Sequence, residues 1–179
     1  MTDALVGDSQ GQGLERALRR LLAIAFVDVR PGWTTARLAG EPFDGALESD
    51  ASRIVVVTGG NDAPLDVSAL RGMIERARAA GKALVVVGPV FALTDDAERH
   101  DRARLDLRNA LRGSGAMWID AYPLTRDLAR SSSVHLTRAG YDTFARRLAR
   151  RLRARGARGA LAGPLVVLLA LGAAAASRR

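Results

Sequence analysis

Short apolar runs that alternate with amphipathic stretches constrain the fold of this 179-residue chain more than any other feature. Two of the runs, Ile54–Thr58 and Ala83–Val87, are almost continuously apolar and rich in valine, which is typical of strands covered on both faces. Further strands are predicted at 3–7, 25–29 and 117–120. The chain therefore supplies about five candidate strands, spread along its whole length.

Amphipathic patterns occupy the intervals between these strands. Apolar residues recur at spacings of three and four, with charges on the opposite face, over Leu14–Leu22, Val67–Ala80, Asp96–Leu111 and Thr137–Arg155. Strand–helix alternation of this kind predicts a parallel sheet between two layers of helices, a three-layer α/β/α fold. The polar segment 36–52 has weak periodicity, and we expect a loop with one short helix there.

The positive charge of the chain is concentrated at its C-terminal end. Residues 138–179 contain ten arginines and a single acid, Asp142, whereas residues 1–137 carry a net charge of −1. A basic helix of this kind either presents a solvated face or attracts anionic lipid or nucleic acid. We expect no nucleic-acid partner.

An uncharged run of 19 residues, 159–177, follows the basic stretch. As a helix it would span about 28 Å, so residues 159–179 are expected to attach a folded domain of residues 1–157 to the cytoplasmic face of a membrane. Against this, Gly163-Pro164 restarts the helix, and the alternative is a tail, residues 158–179, that packs on a partner or stays loose. The first strand begins almost at Met1, which leaves no room for a secretory signal in this sequence and predicts either a cytoplasmic location or a start that has been trimmed.

Cysteine and histidine usage limits the chemistry open to the chain. The sequence has no cysteine, which excludes disulfides and thiolate metal sites. Its two histidines, His100 and His135, have neither of the spacings typical of zinc enzymes. We therefore expect no metal and no organic cofactor. His100 lies in a charged run and is expected to face solvent.

Four short polar blocks carry the functional information. They are Gly7-Asp8-Ser9, Gly32, Gly59-Gly60-Asn61-Asp62 and Val134-His135, and the first three directly follow candidate strands, at the edge where parallel sheets bind ligands. Together they supply a nucleophile, a backbone amide, a side-chain amide and a base, which are the groups that acyl transfer requires. Each block also has a simpler structural explanation when taken alone. Ser9 fits a helix cap, Gly32 a Pro-Gly turn, the Asn61 block an Asx turn, and His135 an ordinary loop histidine.

The order of the blocks resembles the SGNH (GDSL-type) hydrolase family, including the continuation Leu136-Thr137-x-x-Gly140-Tyr141 after the histidine. The resemblance implies a flavodoxin-like parallel sheet of about five strands. It also implies Ser9 as nucleophile and His135 as general base. The oxyanion hole would then consist of the Ser9 and Gly32 amides with the Asn61 side chain.

One departure from the family pattern bears on activity. The family carries an aspartate three residues before the histidine, and this chain has Ser132 there. Three outcomes stay open: a Ser9–His135 dyad whose imidazole is held by the Ser132 hydroxyl or a backbone carbonyl, a carboxylate from elsewhere such as Asp127, or a degenerate site that only binds. The expected function is hydrolysis of a small-molecule or lipid acyl ester or thioester through an acyl-enzyme; a binding or scaffold protein and an acyltransferase are the alternatives.

Overall fold

Five parallel strands form the centre of the computed structural model, which describes residues 1–62, 64–94 and 96–160. Their order in the sheet is β2-β1-β3-β4-β5. The strands are β1 (Asp3–Gly7), β2 (Ile24–Val29), β3 (Arg53–Val57), β4 (Ala83–Val87) and β5 (Met117–Ile119). The predicted parallel sheet of about five strands is confirmed.

Seven helices in the described part of the chain cover the two faces of this sheet. They are α1 (Ser9–Arg19), α2 (Thr35–Leu38), α3 (Glu41–Glu48), α4 (Val67–Ala79), α5 (Asp96–Leu111), α6 (Tyr122–Thr125) and α7 (Arg138–Ala160). Buried side chains of α1, α6 and α7 pack on one face, and those of α2, α3, α4 and α5 pack on the other. The three-layer α/β/α prediction is therefore confirmed.

The central strand β3 shows why its sequence is continuously apolar. Val55 and Val57 belong to the core that includes α1 and α7, whereas Ile54 and Val56 belong to the core that includes α4 and α5. Successive side chains of a strand point to opposite faces, so a strand buried on both faces needs an apolar residue at every position. All four of these side chains are almost fully buried.

Two local predictions differ from the structure. Helix α1 begins at Ser9 rather than at Leu14, because the Asp8 carboxylate caps it by accepting the backbone N–H of Gln10 at 2.9 Å. Segment 36–52 forms parts of two helices, α2 and α3, rather than one. Its periodicity is weak because only a few of its side chains reach the core, and Phe43 is one of these few.

A buried ion pair marks the edge of the sheet opposite the predicted active site. Arg53 donates to both carboxylate oxygens of Asp3, at 2.6 and 2.9 Å, where β1 and β3 begin. The same guanidinium donates to the backbone carbonyl of Leu152 at 2.9 Å. Helix α7 therefore starts near the carboxyl ends of the strands and reaches their amino ends by Leu152.

The described residues contain no helix that is both long enough and apolar enough to cross a bilayer. Residues 161–179, which make up most of the predicted membrane attachment at 159–179, lie outside the described residues. Attachment through this segment stays a prediction.

Candidate active site

The structure brings the Ser9 hydroxyl and the His135 imidazole together across 126 positions of sequence. Ser9 is the first residue of α1, directly after the turn that leaves β1, and His135 lies in the loop before α7. The distance from Ser9 Oγ to His135 Nε2 is 3.0 Å, and both residues are partly buried. This is the hydrogen bond through which a histidine can remove the proton of a serine nucleophile.

Ser132 lies at the other nitrogen of the imidazole. Its Oγ is 3.1 Å from His135 Nδ1 and also accepts the backbone N–H of His135 at 3.0 Å. When Nε2 accepts the Ser9 proton, Nδ1 must carry the ring hydrogen and donate it to Ser132 Oγ. The hydroxyl oxygen can accept that hydrogen, so the contact is compatible with the tautomer that a general base needs, and it contributes no negative charge.

Asp127, the other candidate for orienting the histidine, has a different partner. Its two carboxylate oxygens accept from the Arg147 guanidinium of α7 at 2.6 and 2.7 Å. This contact lowers the pKa of Asp127 to about 2. Within the described ranges no carboxylate forms a hydrogen bond or ion pair with His135. The structure therefore places Ser132, and not Asp127, beside Nδ1.

A buried glutamine connects the nucleophile helix to the histidine loop. Gln10, which directly follows Ser9, donates from Nε2 to the backbone carbonyl of Val134 at 2.9 Å. The hydroxyl of Tyr141 in α7 donates to Gln10 Oε1 at 2.8 Å. Because both side chains are buried, this Gln10 bridge holds the residue before His135 at a set distance from the residue after Ser9.

The opposite side of the histidine loop is anchored to the region where α5 begins. Ser133 donates its hydroxyl to the Asp96 carboxylate at 2.6 Å, and its carbonyl accepts the backbone N–H of Leu93 at 3.0 Å. The Ser133 hydrogen bond is the main cause that lowers the pKa of Asp96. The loop is therefore held from two sides, by the Gln10 bridge and by Asp96.

Candidate oxyanion donors lie in the loops that follow β1, β2 and β3, which are neighbours in the sheet. The Ser9 N–H is in the first turn of α1, where backbone amides lack partners within the helix and the helix dipole favours negative charge. Gly32 is in the turn closed by Trp33 N–H and Arg30 O at 3.3 Å, with φ of 76°. That conformation suits glycine, and the space around it is open.

Asn61 ties the loop after β3 to the loop after β2. Its Nδ2 donates to the backbone carbonyl of Trp33 at 3.0 Å, directly after Gly32. This contact uses one of the two N–H groups of the carboxamide, and the described residues give the other no partner. The arrangement orders the Asn61 amide against the turn that contains Gly32.

Two buried carboxyl groups, which the sequence had not singled out, organise these loops. Asp8 accepts the backbone N–H of Gln10 at 2.9 Å, and the backbone amides of Gly11 and of Gly60, in the loop after β3, also favour its ionised form. Burial raises the pKa of Asp8 to about 7. The sequence feature that could have identified Asp8 is its position, because an acid there directly precedes the proposed nucleophile.

The second carboxyl group, Asp62, plays the same part between the loops after β2 and β3. It accepts the backbone N–H of Thr35 at 3.0 Å and the Thr35 hydroxyl at 2.9 Å. Burial raises its pKa. Here too the signal was position, since Asp62 directly follows Asn61.

The expectation that His100 faces solvent is wrong. His100 is only 2% exposed, and its Nδ1 is 2.8 Å from the Val90 carbonyl. It lies on the inner face of α5 with Ala103 and Leu107, so the charged run around it occupies the outer face of the same helix. Burial lowers the pKa of His100, which favours the neutral ring. The described residues contain no group of three ligands arranged to hold a metal ion.

Comparison with known proteins rests on solved structures, because no family model and no curated protein matches the chain. A protein from Desulfitobacterium hafniense DCB-2 described as a lipolytic protein of the G-D-S-L family superposes with a TM-score of 0.71 at 14% identity, over 83% of this chain and 98% of that one. The lipase/acylhydrolase from Enterococcus faecalis gives 0.65 at 16% identity, over 86% and 96%. A GDSL-like lipase from Bacteroides thetaiotaomicron VPI-5482 gives 0.69 at 13% identity, over 86% and 88%.

The chain has the SGNH-hydrolase fold. The superpositions cover 98%, 96% and 88% of the three neighbours, so most of each neighbour's fold has a counterpart in this chain. At these identities the likeness establishes the SGNH fold, and the chemistry has to be argued from the side chains at its carboxyl edge.

Proposed function

We propose that this protein hydrolyses an ester or thioester through an acyl-enzyme formed on Ser9. The observation that carries the proposal is the 3.0 Å contact between Ser9 Oγ and His135 Nε2, with Ser132 Oγ at Nδ1. The three solved structures compared above are described as a lipolytic protein, a lipase/acylhydrolase and a lipase, which supports the same class of substrate.

In the first half of the proposed reaction, Ser9 Oγ attacks the acyl carbonyl carbon while His135 Nε2 removes the hydroxyl proton. The tetrahedral intermediate collapses with cleavage of the bond to the alcohol or thiol, and His135 returns the proton to that leaving group. In the second half, His135 removes a proton from water, which attacks the acyl carbon. The proton then returns to Ser9 Oγ and the carboxylic acid is released.

The negative charge that develops on the carbonyl oxygen is assigned to three donors. They are the backbone N–H groups of Ser9 and Gly32 and the free N–H of the Asn61 carboxamide. Loss of one donor of this kind typically costs about 3–4 kcal/mol of transition-state stabilisation. We expect Asn61→Ala to lower kcat by a factor on the order of 100 to 1,000.

Ser132 gives the proposed enzyme a neutral orienting group in place of a carboxylate. Replacement of the triad aspartate by its amide costs about 10⁴ in turnover in a serine protease, because the tautomer is wrong and the imidazolium loses its counter-charge. The Ser132 oxygen can accept the Nδ1 hydrogen of the tautomer that a general base needs, but it lacks the charge. We therefore expect a working dyad with turnover below that of a full triad.

Labelling with a fluorophosphonate probe tests the proposal directly. The full chain should label at Ser9, and the label should be absent from Ser9→Ala and strongly reduced in His135→Ala. Ser52→Ala is the matched control, because Ser52 is an exposed serine near the amino end of β3 and its removal should leave labelling unchanged. A folded parent chain that does not label, and does not hydrolyse p-nitrophenyl acetate, would instead support a binding or scaffold role.

A further inference from the structure

A strongly basic groove lies between α6 and the C-terminal half of α7. Four arginines and one acid line this groove, which has a volume of about 500 Å³; they are Arg126, Arg147, Arg150, Arg151 and Asp127. Asp127 is engaged by Arg147 in a bidentate ion pair. The remaining three arginines are exposed, and none of them pairs with an acid among the described residues.

The basic surface continues around α7 beyond this groove. Arg146, Arg150 and Arg153 line a second depression together with Leu21. Arg146 and Arg153 are exposed, and their hydrogen bonds go to the Thr143 hydroxyl and to the Leu21 carbonyl, respectively. Neither contact neutralises charge. The two depressions share Arg150, so the arginines form one continuous positive face, which we call the α7 basic face.

The α7 basic face is separate from the candidate active site. Leu152 lies between its last two arginines and accepts a hydrogen bond from Arg53 at the beginning of β3. Ser9 lies two residues after the end of β1, at the other edge of the sheet. A ligand on this part of α7 therefore cannot be a substrate in contact with Ser9.

We propose that the α7 basic face binds the anionic headgroups of a phospholipid membrane. Phosphate groups complement unpaired guanidinium groups in charge and in hydrogen-bond geometry. The direction of the chain favours a membrane over a nucleic acid: helix α7 leads away from these arginines into the uncharged run 159–177. A basic helix followed by an apolar run is the arrangement that places cationic side chains at a membrane surface.

Vesicle co-sedimentation of the full chain tests this surface. Vesicles of phosphatidylcholine are compared with vesicles that also contain phosphatidylglycerol, at low ionic strength. Each arginine near an anionic surface strengthens binding about fivefold, so the triple variant Arg126→Gln/Arg150→Gln/Arg151→Gln should bind phosphatidylglycerol vesicles on the order of 100-fold more weakly.

The matched control is Arg71→Gln/Arg108→Gln/Arg112→Gln, which removes the same charge from exposed arginines on α4, on α5 and just after α5, on the other face of the sheet. This variant should lose less than about fivefold in binding. Urea unfolding of both variants verifies that each remains folded, and this measurement does not depend on catalysis.

The outcomes separate the proposal from its competitors. A large loss confined to the α7 variant supports it. Equal losses in the two variants would show that net charge alone drives binding, and unchanged binding of the α7 variant would show that other residues attach the chain; either result overturns it. Tighter binding of a duplex oligonucleotide than of the anionic vesicles, abolished by the α7 substitutions, would overturn it in favour of a nucleic-acid surface.

Discussion

Ser132 Oγ lies 3.1 Å from His135 Nδ1 and accepts a second hydrogen bond from the backbone N–H of the same histidine. One hydroxyl oxygen thereby holds both the main chain and the ring of His135. The contact explains how the imidazole can be oriented without a carboxylate. It also identifies the electrostatic part of the triad as the part that this site lacks, and that difference can be measured.

Ser132→Asp should increase turnover. A carboxylate at this position would accept the Nδ1 hydrogen and stabilise the imidazolium that forms as Ser9 attacks, so we expect kcat for p-nitrophenyl acetate to rise on the order of 100-fold with little change in KM. Ser132→Asn is the control, because it offers an oxygen acceptor of similar reach and no charge. Equal gains in the two variants would mean that reach, and not charge, limits the parent site.

Asp96→Asn should lower kcat about tenfold while leaving KM nearly unchanged, since a hydrogen bond to a charged group contributes about 1.5–3 kcal/mol. The affected contact is the 2.6 Å hydrogen bond from Ser133, which anchors the His135 loop to α5. Asp127→Asn removes the same charge from a surface ion pair and should change kcat less than about twofold. A larger loss in Asp127→Asn than in Asp96→Asn would reinstate Asp127 as the orienting carboxylate.

The buried carboxyl group of Asp8 should make stability fall as pH rises. Its pKa is raised from 3.8 to about 7, so the folded state holds a proton that the unfolded chain has already released between these values. The contribution is fully present below about pH 4 and is lost as pH rises to about 7. The free energy of unfolding of the parent, measured with urea, should therefore decline across this window relative to Asp8→Asn.

The comparison with Asp8→Asn isolates this group from its neighbours. Asp62 has a raised pKa and His100 a lowered one, so they change stability with pH in opposite senses, but both are present in the two proteins. If the free energy of unfolding changes with pH in the same way in the parent and in Asp8→Asn, the folded state does not raise the pKa of Asp8.

Gly13→Ala should destabilise the protein and lower kcat together. A Cβ at Gly13 would overlap the ring of Tyr141, which is buried and hydrogen-bonded to Gln10, so the Gln10 bridge to the His135 loop would shift. Overpacking of this kind costs about 1–3 kcal/mol. Gly72→Ala is the matched helical control: its Cβ meets nothing within 4 Å, and it should stabilise by about 0.5–1 kcal/mol. If the two substitutions change the free energy of unfolding in the same direction relative to the parent, this interpretation of α1–α7 packing is contradicted.

The layered fold was predictable because its strands are local signals. A strand covered on both faces must be apolar at every position, and the valines of β3 and β4 meet that condition without reference to any other segment. Helix α5 has the predicted bounds, Asp96–Leu111, because its apolar face is regular over four turns. The start of α1 was missed because its first turn depends on a cap, Asp8, and on glycines rather than on apolar spacing.

The candidate site was predictable only in part. The polar blocks could be located, since each follows a strand or precedes a helix. Which group lies at His135 Nδ1 could not, because the path of that loop depends on Gln10 and Asp96, whose partners are 124 and 37 positions away. Asp127 is closer in sequence to His135 than either, yet α7 presents Arg147 to it. Ser132, which is three positions from His135 and therefore closer still, is the residue whose Oγ lies at Nδ1. Proximity along the chain ranked these two candidates correctly, but only the folded structure shows that no carboxylate of the described residues replaces Ser132 there.

Helix α7 has a consequence for how substrate reaches Ser9. The helix has 23 residues and begins just after His135, so roughly 34 Å separate its two ends. A bilayer that contacts only the end of α7 and the residues after it would leave the catalytic pocket in bulk water, beyond the depth of the headgroups, whereas a bilayer on the α7 basic face, which begins at Arg146 about 12 Å from the start of the helix, would lie closer to the pocket. In the first arrangement acyl donors would arrive dissolved or on a soluble carrier, and lipids that diffuse laterally within the leaflet would stay out of reach.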